Sequence, residues 1–408
     1  MDHGSVKALR FAFVARIKRG WLWWTVSAGS IFVVLAVIAF FVFAPGIVER
    51  RMNQVVDTRL PAVDASTREL HDSLSIVDMH ADTLMWDRDL LERSDRGHVD
   101  LPRLEEGNVG LQVFSSVSKS PRGQNYESNS ADTDNITPLA IAQLQPPATW
   151  TSLLERSLYH AEKLSDAAAR SDGRLVLIRT RADLDELVAA REAGERATGA
   201  LFSVEGLHNL EGEQRNVEVL FDAGMRMASF AHFFDNEVVG SMHGIDKGGL
   251  TDLGRRVFDE LEQRGVIVDI AHSSHRAVAE MLDRATKPVV YSHGGVQATC
   301  DVNRNLTDEE IRGVARTGGV VGIGYWDAAV CDTTPAAVVD AIEHVIDVGG
   351  IETAALGSDY DGSTTVGWDT SDIAVITREL RERGHSEADI AAIMGGNTIR
   401  VMREVLPR

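Results

Sequence analysis

The sequence predicts an α/β fold, a (β/α)8 barrel of the TIM type preceded by one N-terminal transmembrane helix. Three observations predict it. Residues 21–48 carry no charge; eight short apolar, β-branched runs recur through the rest of the 408-residue chain; and amphipathic helical patterns separate several of those runs. Strand, helix, strand in alternation is the pattern of a parallel sheet, and strands buried on both faces read as continuous apolar runs. Eight such units that close on themselves make a barrel, with its chemistry at the C-terminal ends of the strands.

Residues 1–20 form a basic segment holding Lys7, Arg10, Arg16, Lys18 and Arg19. Residues 21–48 follow with a Trp-rich lead-in, Trp21, Trp23 and Trp24, and the core IFVVLAVIAFFVFA. That stretch is long enough to cross about 30 Å of hydrocarbon as one helix, with the tryptophans at an interfacial belt. Only Arg50 and Arg51 follow it closely, so the distribution of basic residues puts the N-terminus in the cytoplasm and the body outside. A cleaved signal peptide is the rival reading. The apolar stretch is longer than a usual signal core, and its best small-residue site, at Ala44, is followed by Pro45, so we read a retained single-pass anchor. Residues 49–73 are charged and read as a stalk, with Pro61 interrupting any helix there. The barrel domain then takes residues 74–408.

The eight strand candidates are residues 75–80, 109–115, 200–205, 225–232, 266–272, 288–293, 319–325 and 354–359. Helical patterns at 251–263, 274–284, 307–316 and 335–347 end at Gly265, before Pro288, at Gly318 and at Gly349–Gly350. Residues 174–180 (RLVLIRT) are a ninth strand candidate, placed outside the barrel. Residues 118–150 are rich in Ser, Asn, Pro and Gln and read as a long excursion after the second strand, of the kind that covers active sites or stays mobile.

Composition excludes one function class. Formal net charge is −20; the first 51 residues hold seven basic and two acidic groups, which leaves −25 on the remainder. Such a body repels nucleic acid, and no basic patch offsets it. The two cysteines, Cys300 and Cys331, lie in the part read as translocated, where an oxidising compartment permits one disulfide; two buried thiols fit the sequence as well.

The polar residues that end the apolar runs are not a random sample of polar types. They are His80 and Asp82, Glu205, His232, His272, His293 and Asp359. Imidazoles and carboxylates converging from several strand ends at one rim form a donor set that suits zinc and similar divalent ions. His80 and Asp82, two apart, share a face. Glu205, with two oxygens, can bridge two ions, completing His80 and Asp82 on one side and His272 and His293 on the other. A pair of ions so held can carry a bridging hydroxide that attacks an amide carbonyl. Asp359 is placed to pass the water's proton to the leaving nitrogen, His232 to donate to the substrate carbonyl, and Arg304 to offer a planar fork to a carboxylate. Asp361 is the nearby competitor of Asp359.

These residues resemble the membrane (renal-type) dipeptidases, peptidase family M19, within the amidohydrolase-like metal-dependent hydrolases. The matching motifs are HADTLMW at His80, SVEG at Glu205, SFAH at His232, DIAHSS at His272, YSHGG at His293, NRN at Arg304 and GSDYDG at Asp359, in order from about Leu74 to the C-terminus. The resemblance implies a metallo-dipeptidase with two zinc ions on His80, Asp82, Glu205, His272 and His293. It further implies substrate contacts from His232, Arg304 and Asp359, a pocket-lining Tyr325, and a disulfide between Cys300 and Cys331. Members cleave dipeptides, often with a D-residue at the C-terminal position, and some open carbapenem-type β-lactam rings. Three features depart from the pattern. Animal members are held by a C-terminal lipid anchor where this chain has an N-terminal span; the position of Tyr360 is commonly Phe; and residues 118–150 have no match.

Two other readings stand beside the zinc dipeptidase. One is a related dinuclear amidohydrolase acting on N-acyl amino acids or lactones, although many of those bridge their metals with a carboxylated lysine rather than a glutamate. The other is a membrane-tethered binding protein that has lost catalysis, against which Asp359 and Arg304 argue. The sequence does not decide between a monomer and a homodimer.

Overall fold

Eight parallel strands close into a barrel in the computed structural model, which describes residues 3–56 and 59–408. They are β1 (Ile76–Ala81), β2 (Val109–Val117), β3 (Thr198–Glu205), β4 (Met225–Ser229), β5 (Ile267–Asp269), β6 (Val290–Tyr291), β7 (Val320–Ile323) and β8 (Ala354–Leu356). The longest pairing runs in register from Leu111↔Gly199 to Val117↔Glu205 between β2 and β3. Pairing of Leu356 with Asp78 joins β8 to β1 and closes the ring. Every residue of these strands is buried, as expected where side chains fill the barrel on one face and meet helices on the other. The ninth candidate is a short strand, Leu175–Leu177, beside the first half of β3 and outside the closed ring.

The four expected helices are present as Asp252–Arg264, His275–Arg284, Asp308–Arg316 and Pro335–Gly349. Each starts on a hydroxyl cap: Thr251, Ser274, Thr307 and Thr334 accept from the backbone N–H three residues on. Val77, Met79, Leu111, Val113, Leu201 and Met227 pack inside one cluster with Ile399 and Met402 of the C-terminal helix Asn397–Val405. A second, larger cluster lies between strands and helices and contains the Ile76 side chain, so neighbours in β1 serve opposite faces.

The N-terminal helix runs without a break from His3 to Met52, and its segment Ser27–Met52 is long and apolar enough to cross a membrane. Its last turns behave differently from the rest. Pro45 and Glu49 are buried against the barrel domain, and the Glu49 carboxylate pairs with Arg88 and Arg96. The segment expected to be a stalk is therefore docked rather than loose. Gln54–Val55 adds a two-residue parallel strand beside Thr365–Val366, and a helix at Ala65–Ser73, capped by Asp64, leads into β1. The charge of Glu49 marks a buried pair of salt bridges, while Arg50, Arg51, Asp64, Glu69 and Asp72 stay exposed.

Candidate metal centre

The strand ends bring the sequence-selected residues to one rim. His80 and Asp82 end β1, Glu205 ends β3, and His232, His272, His293 and Asp359 follow β4, β5, β6 and β8 by two or three residues. They surround the floor of a cleft of about 740 Å³, whose lining includes Asp82, Glu205, His232, His272, Arg304 and Asp359. Oε1 of Glu205 lies 2.9 Å from Nε2 of His272, 3.2 Å from Nε2 of His293 and 3.7 Å from Nε2 of His80. Its Oε2 lies 3.6 Å from Nε2 of His232, and Nε2 of His80 lies 3.3 Å from Oδ1 of Asp82.

Three overlapping groups of donors come within 4.8 Å of one another: His80, Glu205 and His293; Glu205, His232 and His272; and His80, Asp82 and Asp359. Glu205 belongs to two of them and His80 to two. Several of these buried donors have no hydrogen-bond partner, among them both ring nitrogens of His80, Oδ1 of Asp82 and Oε2 of Glu205. Orphaned polar atoms in a buried site are costly unless something else meets them, and imidazole and carboxylate are the donor types that divalent metals take. The residues fit a metal centre.

Electrostatics follow from crowding. Burial, with the charge of Arg304 on His272 and of His80 on His293, pushes both imidazoles well below their usual range, which keeps them neutral. Burial works the other way on Glu205, but His232, His80 and the hydrogen bonds from His272 and His293 hold its carboxyl well below the ordinary value. Burial raises Asp359 far above a normal carboxyl; Asp82 and Glu205 add to this and His80 opposes it. A carboxyl that keeps its proton, Asp359, and a carboxylate that does not, Glu205, thus stand in one site.

Supporting contacts lie one layer out. Oδ1 of Asp269 accepts from the backbone N–H of Ala271 and Ser292, while Ser292 Oγ bonds Asp269 Oδ2 at 2.6 Å and lies 2.8 Å from Nδ1 of His293. Oδ1 of Asp78 accepts from the N–H of His80 at 3.1 Å and of Ser358 at 2.9 Å, tying β1 to β8 beneath the rim. Such partners orient a ligand and fix its tautomer. Sequence reasoning missed them, although DMH and DIAH each carry the aspartate just before the histidine. His272 and Asp359 have φ of 61° and 59°, a left-handed backbone uncommon outside glycine and concentrated at functional sites.

Arg304 is buried beneath the cleft wall, donating to Tyr291 Oη at 2.6 Å and to the His293 carbonyl at 2.7 Å. Tyr325 does not fit its expected place. Its ring is buried 5.5 Å from Tyr360 and 5.3 Å from Trp368, behind the cleft, and the next residue, Trp326, lines the cleft instead, as alternation along an extended segment dictates. Asp361 is no free base: it pairs with Arg88 and accepts from Thr83 Oγ1 and the His98 N–H. Residues 118–150 fold as a wall rather than a loose cover. The helix Ile136–Ala142 contributes Ile136, Pro138 and Leu139 to the cleft, and Tyr126 accepts from Trp326 Nε1 at 3.1 Å. Buried Arg156 pins this wall through Thr149 O, Thr137 Oγ1 and Asp134 Oδ2. Cys300 and Cys331 form a disulfide.

Known proteins share both the sequence pattern and the fold. Dipeptidase tcpJ of Claviceps purpurea is 28% identical over 76% of this chain and 69% of its own length. Dipeptidase aclJ of Aspergillus oryzae is 27% identical over 76% of this chain and 70% of its own. Among solved structures, the probable dipeptidase PvdM from Pseudomonas aeruginosa superposes with a TM-score of 0.71 at 18% identity, covering 84% of this chain and 98% of that one. A metallopeptidase from Rhodobacter sphaeroides, liganded with a phosphinate mimic of the dipeptide L-Ala-D-Ala, gives 0.65 at 19% identity, covering 82% and 99%. Residues 64–406 match the membrane dipeptidase family, peptidase family M19, and the chain belongs to that family of metallo-dipeptidases.

Proposed function

We propose that this protein hydrolyses the peptide bond of dipeptides, including those with a C-terminal D-residue, at a two-zinc centre on the outer side of a membrane. The observation that carries the reading is the position of Glu205, whose carboxylate touches donors from four other strand ends. His80 and Asp82 would hold one ion, His272 and His293 the other, and Glu205 both. When bound, the ions supply Lewis acidity and a water that is acidic enough to deprotonate near neutral pH.

The chain's own groups do the rest. Hydrolysis puts the water's oxygen on the carbonyl carbon, breaks the C–N bond, and returns a proton to the departing nitrogen. Asp359, at the cleft floor, carries that proton. His232 donates to the substrate carbonyl oxygen as charge builds on it, and Arg304 pairs with the C-terminal carboxylate. The D-residue tolerance draws support from the Rhodobacter sphaeroides structure, whose ligand mimics L-Ala-D-Ala. The apolar helix and the excess of basic residues before it support a retained anchor with a cytoplasmic N-terminus.

The test uses the full chain in detergent micelles, analysed for bound zinc and assayed on L,L- and L,D-dipeptides beside N-acyl amino acids and lactones. Dipeptide turnover that depends on zinc is the expected result. Cleavage of acyl amino acids or lactones alone would move the protein to a related amidohydrolase activity. Full zinc without turnover would make it a binding protein.

A further inference from the structure

A chain of buried ion pairs links the N-terminal helix to the turn that carries Asp359. Glu49, in the last turn of that helix, is only 1% exposed, and two guanidinium groups meet its carboxylate: Arg88 on Oε1 and Arg96, at 2.6 Å, on Oε2. The far side of the Arg88 fork reaches Asp361 Oδ2 at 2.5 Å, and its third nitrogen donates to the Val99 carbonyl at 2.7 Å. Asp361 stands two residues after Asp359, and the Asp82 N–H donates to the carbonyl of the intervening Tyr360 at 2.8 Å. Thr83, next to Asp82, bonds the same Asp361 oxygen at 2.8 Å, and Trp86 Nε1 donates to the Asp361 carbonyl at 2.7 Å. On an adjoining face of the helix, Ala44, Val48 and Met52 line the cleft itself.

A guanidinium held between two carboxylates is directional, because its planar fork satisfies both only in one orientation. Remove Glu49 and a buried Arg88 keeps Asp361 as its one carboxylate partner beside the neutral Val99 carbonyl, so the guanidinium shifts toward Asp361 and displaces the Asp359–Gly362 turn. Misplacement of a reacting group by about 1 Å can cost on the order of a hundredfold in rate.

We propose that Glu49 is a positioning residue of the active site, acting through Arg88 and Asp361 to hold Asp359 and Asp82 in place, so that the end of the membrane-crossing helix is a working part of the catalytic domain. The proposal rests on the dipeptidase reading above for its kinetic readout.

The experiment uses the full chain in detergent with zinc supplied. Glu49→Gln lowers kcat for a cleaved dipeptide about tenfold, with KM and bound zinc each within about twofold of the parent. Arg96→Met removes the other partner of Glu49 without touching Asp361, and leaves kcat within about twofold. In protein labelled with ¹⁵N-tryptophan, the Trp86 indole N–H resonance shifts in Glu49→Gln and holds still in Arg96→Met. That signal needs no turnover, so it tests the linkage even if dipeptides prove not to be substrates. Should Glu49→Gln not fold, Arg88→Lys, which keeps the charge but loses the fork, shows the same kcat loss. Parent-like kcat in Glu49→Gln, equal losses in Glu49→Gln and Arg96→Met, or an unmoved Trp86 signal would each overturn the proposal.

Discussion

Oε1 of Glu205 sits 2.9 Å from Nε2 of His272, while Oε2 of the same carboxylate has no hydrogen-bond partner and turns towards His232. One oxygen of this side chain therefore faces ring nitrogens from both proposed halves of the site, His272 and His293 on one side and His80 on the other, and the second oxygen is left open. Glu205→Gln replaces one of those oxygens with an N–H donor and removes the charge that two cations would share. Loss of an outer contact costs metal sites about 10–100-fold in affinity, so loss of a shared direct ligand should exceed the upper figure for both ions. Elemental analysis after dialysis is the check; retention of either ion at parental affinity would refute the bridging role.

Gly362 packs against both cleft carboxylates of the β1–β8 junction. A Cβ there would come within 2.2 Å of Oδ1 of Asp359 and 2.9 Å of Oδ2 of Asp82. Neither short side chain can yield without leaving its place. Gly362→Ala is expected to depress kcat by about a hundredfold, with the thermal midpoint little changed, because the strain falls on the two carboxylates proposed to act in the cleft and not on the core. A variant with parental kcat would show that Asp359 need not stand where it does.

Much of this arrangement is legible in the sequence, and the reason is physical. Barrel strands are buried on both faces, so their apolar runs stand out, and a charged or imidazole side chain at the end of such a run is conspicuous. That made His80, Glu205, His272 and His293 readable. What pattern reasoning could not reach is contact between residues far apart in sequence. Glu49 heads the charged stretch that reads as a stalk, yet it is buried against Arg88. Residues 118–150, being polar, read as either an active-site cover or a mobile surface, and Arg156 ties them down through Ser118, Asp134, Thr137 and Thr149. Tyr325 failed for a local reason: alternation gave the cleft to Trp326.

Arg304 is held in place by the Tyr291 hydroxyl and the His293 carbonyl, so its fork is oriented before substrate arrives. Arg304→Lys keeps the charge but loses the bidentate geometry. Hydrogen bonds to charged groups contribute about 1.5–3 kcal/mol, so KM for dipeptides with a free carboxylate should rise about 10- to 100-fold, with kcat less affected. C-terminally amidated dipeptides supply the control. An equal rise in KM for both would contradict the carboxylate contact.

Three buried histidines outside the proposed ligand set make stability depend on pH. Burial, partly offset by a hydrogen bond with the Gly107 carbonyl, holds His71 down to about 4, against an ordinary value of 6.5. Burial, assisted by the charges of Lys163 and Arg156, takes His160 to about 3, and burial with Arg304 nearby takes His243 to about 3. All three are neutral in the fold and pick up protons more readily when unfolded. The unfolded state thus binds more protons below pH 6.5, and their stability contribution is complete above that pH. It drains away as pH falls through 6.5 towards 4 for His71, and continues towards 3 for the other two. Each costs on the order of a few kcal/mol if charged in place. Urea unfolding at a series of pH values should show a midpoint that falls steadily below pH 6.5. The decisive comparison is with His71→Gln, whose side chain can still bond Thr377 and Gly107 but cannot take a proton. Its midpoint should fall less steeply than the parent's between pH 6.5 and 4, and a parallel decline would remove His71 as a source of the dependence.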